Sequence, residues 1–146
     1  MQKEDKIYIA GHKGLVGSAI VRQLEKRGFA NLITMERSEP ALSNQEQVRC
    51  FFENHKPEYV FLAAGKVGGV YANNTYRAEF LYENLVIQTN VIHQAFLSEV
   101  KKLIYFGCSS MYPQMTPQPM KEEFLLSGYL EPTNEPFAIA KIAGLK

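Results

Sequence analysis

The chain has 146 residues, 46% of them hydrophobic, with 16 Lys and Arg against 15 Asp and Glu. That length suits one domain with a core and is short for an enzyme with separate cofactor and substrate domains, while a net charge of +1 excludes a broad electrostatic pull toward nucleic acid or membrane. Any anion site must therefore be local. Cys50 and Cys108 form no Cys-x-x-Cys pair, nothing at the start resembles a signal peptide, and the longest apolar run, Tyr59 to Gly65, is too short to span a bilayer. These features predict a reduced, cytoplasmic protein.

Ile7 to Ala10 reads as a buried parallel strand. It runs into Gly11-His12-Lys13-Gly14-Leu15-Val16-Gly17, and an amphipathic helix follows with Val16, Ala19, Ile20 and Leu24 at spacings of three and four before Gly28. Strand, glycine turn and helix converge backbone N–H groups and the positive end of the helix dipole on one point, which suits a phosphate. The spacing Gly-x-x-Gly-x-x-Gly is a variant of the dinucleotide fingerprint: Gly11 for the sharp turn, Gly14 for approach of a pyrophosphate, Gly17 for close helix packing. Leu32 to Met35 is a second strand leading to Glu36 and Arg37, where this fold meets the adenosine ribose. Glu36 argues for NAD; Arg37 and Lys13 argue for NADP.

Ser43-Asn44-Gln45-Glu46 has capping-box spacing, and Val48, Phe51 and Phe52 form the buried stripe of a second helix, with Cys50 inert on or near it. After Pro57, Tyr59 to Ala64 is a continuous apolar run of the kind covered on both sheet faces. Gly65-Lys66-Val67-Gly68-Gly69-Val70 then follows at a strand's C-terminal end, where open α/β sheets bind ligands. From about Ala78 to Val100 a long helix is predicted, with Leu81, Leu85, Ile92, Ala95 and Phe96 among its apolar positions. Phe80, Val86, Ile87 and Val91 widen its stripe, which calls for either another subunit or a broader intrachain contact. His55 and His93 lack spaced partner ligands, so no metal site is expected. Lys102 to Phe106 reads as a fourth strand, ending in the hydroxyl-rich Gly107-Cys108-Ser109-Ser110-Met111-Tyr112-Pro113. An ordered loop to Pro136 and a helix from Phe137 complete the chain. This alternation predicts an α/β, doubly wound, Rossmann-like parallel sheet of about four strands, in the order 3-2-1-4.

The glycine turn, Ala63-Ala64-Gly65-Lys66-Val67-Gly68-Gly69, Ala72-Asn73-Asn74-Thr75-Tyr76 and the block from Glu131-Pro132-Thr133-Asn134-Glu135-Pro136 to Gly144 resemble the GDP-L-fucose synthase family of extended short-chain dehydrogenase/reductases. The resemblance implies NADPH-dependent epimerisation and reduction of GDP-4-keto-6-deoxy-D-mannose, and a homodimer formed through the helix Ala78 to Val100. It implies cofactor contacts from Gly11, His12, Lys13, Gly14, Leu15, Val16, Gly17, Arg37, Ala63, Ala64, Gly65 and Lys141. It also implies that residues 1–146 are the NADP-binding portion of a longer family pattern, cut after about four strands and lacking the nucleotide-sugar domain.

Three family positions are altered. Members carry a tyrosine proton donor four residues before the lysine that corresponds to Lys141, a spacing that places both on one helical face. Here that position is Phe137, which has no proton to give. Members carry Gly-Ser-Ser-Cys before Tyr-Pro, the first serine bonding the substrate carbonyl and the cysteine acting as epimerisation base. This chain has Cys108 and Ser110 in exchanged places, and in an extended segment both would share a face. The expectation is an impaired reductase/epimerase, or alternatively a non-catalytic NADP-binding, dimerising module.

Overall fold

In the computed structural model, residues 1–35 and 40–146 are described, so Glu36 and Arg37 lie outside the described residues. Two compact units divide the chain: residues 1–65 with 86–106, and residues 66–85 with 107–146.

The first unit holds the sheet. Strands β1 (Ile7–Ala10), β2 (Leu32–Ile33), β3 (Tyr59–Leu62) and β4 (Lys102–Tyr105) are all parallel and lie in the order β2-β1-β3-β4. The expected order 3-2-1-4 is therefore corrected: β3 pairs with β1 on the side away from β2. The physical reason is burial. Val60 and Leu62 are essentially inaccessible, as a central strand requires, whereas the two residues of β2 remain half-exposed at the edge.

Alternation along β1 feeds two cores. Ile7 and Ile9 pack with Leu24, Ile20 and Val21 of α1 (Leu15–Lys26) on one face. Tyr8 and Ala10 face the other way, against Val48, Phe51 and Phe52 of α2 (Gln45–His55) and Val91 and Ala95 further along the chain. Each face is covered by helices, so the sheet is doubly wound as expected. The Tyr8 ring lies 4.5 Å from that of Phe51 and 6.1 Å from that of Phe52, and burial pushes the Tyr8 phenol up from its ordinary value. The cap of α2 also differs from the expected box. Asn44, not Ser43, is the capping residue, its side chain accepting from Gln47 N–H, while the Gln47 side chain accepts from Ala41 N–H instead of closing a reciprocal pair.

The second unit contains a short helix that the glycine-rich reading of this stretch passed over, α3 (Val70–Thr75), and α5 (Glu135–Leu145), with 3-10 turns at Ser109–Met111 and Glu122–Phe124. The unit boundary falls inside α4 (Arg77–Leu97), the long helix anticipated over Ala78 to Val100. Its buried line is Phe80, Asn84, Gln88, Val91 and Ala95, whereas Phe96 is 77% exposed. Two amides thus take core-facing positions. Among the described residues, no helix is long and apolar enough to cross a membrane.

Candidate active site

The glycine turn belongs to the first unit. Gly11 has φ +85°, a conformation L side chains rarely adopt, and a Cβ there would stand 2.7 Å from Ala64 N and 2.8 Å from Ala63 O. A Cβ on Gly17 would stand 2.2 Å from Gly11 O, so the first turn of α1 is pressed onto the loop that precedes it. Gly14 differs: it caps α1 in extended backbone, and its nearest neighbour to a Cβ is Gly11 O at 3.3 Å. No side chain caps this helix start and no acidic residue occupies its first turn. Gly14 N–H donates to Gly11 O at 3.0 Å, and the N–H groups of the first turn that follows have no capping side chain and no acidic residue beside them, which is the chemistry an oxyanion needs. Leu15 and Val16 are exposed on this turn, Lys13 is exposed and His12 is half-buried. Ala63 N–H donates to Ala10 O at 2.9 Å, so Ala63 and Ala64 continue β3 alongside the turn, and Gly65 is half-buried. Gly11 to Gly17 with Ala63, Ala64 and Gly65 are thus gathered there; of the other anticipated cofactor residues, Arg37 lies outside the described residues and Lys141 belongs to the second unit.

The hydroxyl, thiol and lysine positions form a cluster in the second unit. The segment at Cys108 is not extended as expected: Ser109–Met111 winds into a 3-10 turn. The turn itself closes the pair, with Cys108 Sγ 2.9 Å from Ser110 Oγ. Met111 is buried and its sulfur accepts the Cys108 N–H at 3.3 Å. Gly107 leaves room for that sulfur, since a Cβ would lie 2.9 Å from it. This turn packs on α5, where Phe137 and Lys141, one turn apart, share a face with Lys141 Nζ 5.9 Å from the Phe137 ring centroid. Lys141 is buried. Burial holds its ammonium below the ordinary lysine value, and negative charge at Cys108 pulls in the opposite direction.

Three polar residues that the sequence reading did not single out hold this unit together. Asn84 accepts from Lys66 N–H at 3.0 Å and donates to Lys66 O at 3.0 Å, pinning the start of the glycine-rich stretch that follows β3, and Lys66 is ion-paired with Glu83. Arg77 donates to Pro132 O at 2.6 Å and meets Glu135 at 3.1 Å. Glu131 accepts from the backbone N–H groups of Thr133 and Asn134 and from both their side chains, which holds its carboxyl below the ordinary range, the Thr133 hydroxyl contributing most. The signal for Asn84 was present in the sequence: it falls four residues after Phe80, in register with the apolar line of α4.

Relatives and solved structures resemble the whole of this chain. It is 58% identical over 146 residues to a putative GDP-L-fucose synthase 2 of Arabidopsis thaliana, covering 100% of this chain and 44% of that protein. Against the GDP-L-fucose synthase of Escherichia coli (strain K12) it is 52% identical over 143 residues, covering 98% and 44% respectively. The chain therefore spans under half the length of these relatives. MlghC, a GDP-mannoheptose C4 reductase from Campylobacter jejuni solved with NADP bound, superposes with a TM-score of 0.95 at 54% identity, over 99% of this chain and 46% of that one. Residues 7–146 match the NAD dependent epimerase/dehydratase family, and the chain belongs to that family.

Proposed function

We propose that this chain binds NADP(H) at the Gly11–Gly17 turn and serves the reduction, with epimerisation, of a GDP-linked 4-keto-6-deoxy sugar, as in GDP-L-fucose synthase. The observation that carries the reading is the turn itself. Gly11 and Gly17 admit no side chain, and the uncapped start of α1 supplies N–H donors without a competing acid, so the residues fit a pyrophosphate. The identities to GDP-L-fucose synthases and to an NADP-bound GDP-sugar reductase support the choice of cofactor and sugar nucleotide. When bound, the nicotinamide supplies hydride to the carbonyl carbon.

The chain's own residues then divide the work. The turn orients the cofactor's phosphates. Lys141, a buried cation on α5, offers positive charge to a ribose hydroxyl and to oxygen that gains negative charge during reduction. Cys108 and Ser110 offer hydrogen-bonding atoms to the sugar carbonyl. Lys13 supports the 2′-phosphate form of the cofactor through its charge at the exposed rim of the turn. Residues 1–146 act as the NADP-binding part, and the two unpaired, half-buried thiols fit a reducing, cytoplasmic setting.

The test is a fluorescence titration of the chain with NADPH and with NADH. Tighter binding of NADPH is expected, with the difference shrinking in Lys13→Ala. Equal curves for the two cofactors would remove the NADP assignment, and absence of binding by either would remove the dinucleotide site.

A further inference from the structure

Reduction of a ketone needs a proton for the oxygen as the carbon takes hydride, and Phe137, one turn before Lys141 on α5, carries none. The 3-10 turn packed against α5 does carry protons. Cys108 Sγ and Ser110 Oγ lie 2.9 Å apart, both residues half-buried, and the backbone of Cys108 is fixed by its bond to the buried Met111 sulfur. We propose that the Cys108–Ser110 pair is the proton donor of this site, supplying to the carbonyl oxygen what a phenol at position 137 would supply. The inference rests on the reading of the chain as a carbonyl reductase.

One hydrogen bond joins two proton-bearing atoms. One proton is committed to that bond and the other remains to be given outward. A thiol is a far stronger acid than an aliphatic hydroxyl, so the proton lost from the pair is the thiol's whichever atom faces the substrate. In one arrangement the Cys108 S–H protonates the oxygen directly while the Ser110 O–H bonds to the sulfur. In the other, Ser110 gives its proton to the oxygen and takes the one from Cys108. Both balance identically: a C–H bond forms from the nicotinamide hydride, an O–H bond forms, the S–H bond breaks, the ketone is reduced and the nicotinamide oxidised. The product on the protein is a Cys108 thiolate.

That thiolate forms on the turn that packs against α5, the helix that carries the buried Lys141. Desolvation disfavours the Lys141 ammonium, and negative charge at Cys108 favours it, so departure of the thiol proton offsets part of what burial costs that cation. Carrying the sulfur two residues before the hydroxyl, rather than after it, places the acidic member of the pair on the residue locked by Met111. Cys50, the other cysteine, lies on α2 beside Glu46 and takes no part.

The experiment uses the full chain in a Cys50→Ser background, with NADPH and GDP-4-keto-6-deoxy-D-mannose as probes. NADPH binding is read by fluorescence, single-turnover reduction by absorbance, and iodoacetamide labelling of Cys108 by mass spectrometry. Cys108→Ala and Cys108→Ser should bind NADPH like the parent and each lose about 100-fold or more in reduction. The serine variant keeps a hydrogen-bonding atom without an acidic proton, so it separates proton donation from a merely structural part. Phe137→Tyr placed in the Cys108→Ala chain should recover the lost rate, and the keto sugar nucleotide alone should slow labelling of Cys108 by tenfold or more. The proposal is overturned if the parent reduces the keto sugar and Cys108→Ser reduces as fast, or if the sugar nucleotide leaves labelling of Cys108 unchanged. Failure of the parent to bind NADPH, or to reduce at all once it is bound, would instead remove the reading on which the proposal rests, and the proposal with it.

Discussion

Gly14 and Gly17 sit three residues apart on the same turn and do different things. Gly17 is needed by the fold, because a methyl group there meets Gly11 O at 2.2 Å, a separation no side chain tolerates. Gly14 has its nearest neighbour at 3.3 Å and an ordinary backbone conformation, so what its missing side chain protects is the space in front of the helix. Gly14→Ala should therefore unfold in urea within about 1 kcal/mol of the parent while losing NADPH affinity. Gly17→Ala should lose stability as well as binding. Lys141 makes the converse point, since its buried ammonium opposes folding. Its folded pKa lies below its unfolded one, so the unfolded chain binds more protons across that window and its contribution to stability rises with pH up to the ordinary lysine range. Lys141→Met should melt higher than the parent at neutral pH and flatten that rise, as thermal scans between neutral and alkaline pH would read.

At the scale of elements, the start of α5 depends on a carboxylate outside the helix. The helix has no side-chain bond from its own capping residue, Asn134; Glu131 instead accepts the Asn134 and Thr133 N–H groups. Because these bonds depress the Glu131 pKa, the stability they give is present above the ordinary glutamate range and is lost as pH falls through the depressed value. Glu131→Gln should show a shallower loss of melting temperature on acidification than the parent, with the two curves converging at low pH. The same element carries Phe137 and Lys141, so loosening its start is expected to disturb their placement as well as stability. Arg77 adds a second tie, to Pro132 O and Glu135, that no spacing rule pointed to because the partners are more than fifty residues away.

For the whole molecule, the decisive surface is on α4. Tyr82 is 66% and Phe96 77% exposed, while the buried line of the same helix runs through Phe80, Val91 and Ala95. Large apolar side chains left outward on a long helix are what a second copy of the chain would cover in the homodimer that the family resemblance implies. Light scattering coupled to size exclusion should give a dimer for the parent and a monomer for Tyr82→Asp with Phe96→Asp; a monomeric parent would remove the proposal. The helix also shows where an apolar stripe misleads. Its width called for another subunit or a broader intrachain contact; Phe80 and Val91 are buried within the chain, and Asn84 and Gln88 take two of the five buried positions because one pins the Lys66 backbone and the other bonds the Tyr105 hydroxyl.

Much of this protein is legible without coordinates. The glycine spacing, the continuous apolar run of β1 and the stripe of Val48, Phe51 and Phe52 depend on residue type and short-range periodicity alone, and the chemistry missing at Phe137 is legible from the family resemblance. Tertiary structure decided what depends on residues distant in the chain. It put β3 between β1 and β4, where Val60 and Leu62 are buried and Tyr59 and Phe61 half-buried, and left the two-residue β2 at the edge. It replaced the expected extended strand end with a 3-10 turn that brings a thiol and a hydroxyl to 2.9 Å, because the Met111 sulfur draws the chain back onto Cys108. It also buried Lys141, whose sequence context gives its helical face but not its solvation: a charge is desolvated only by what packs around it, and that packing is assembled across the fold.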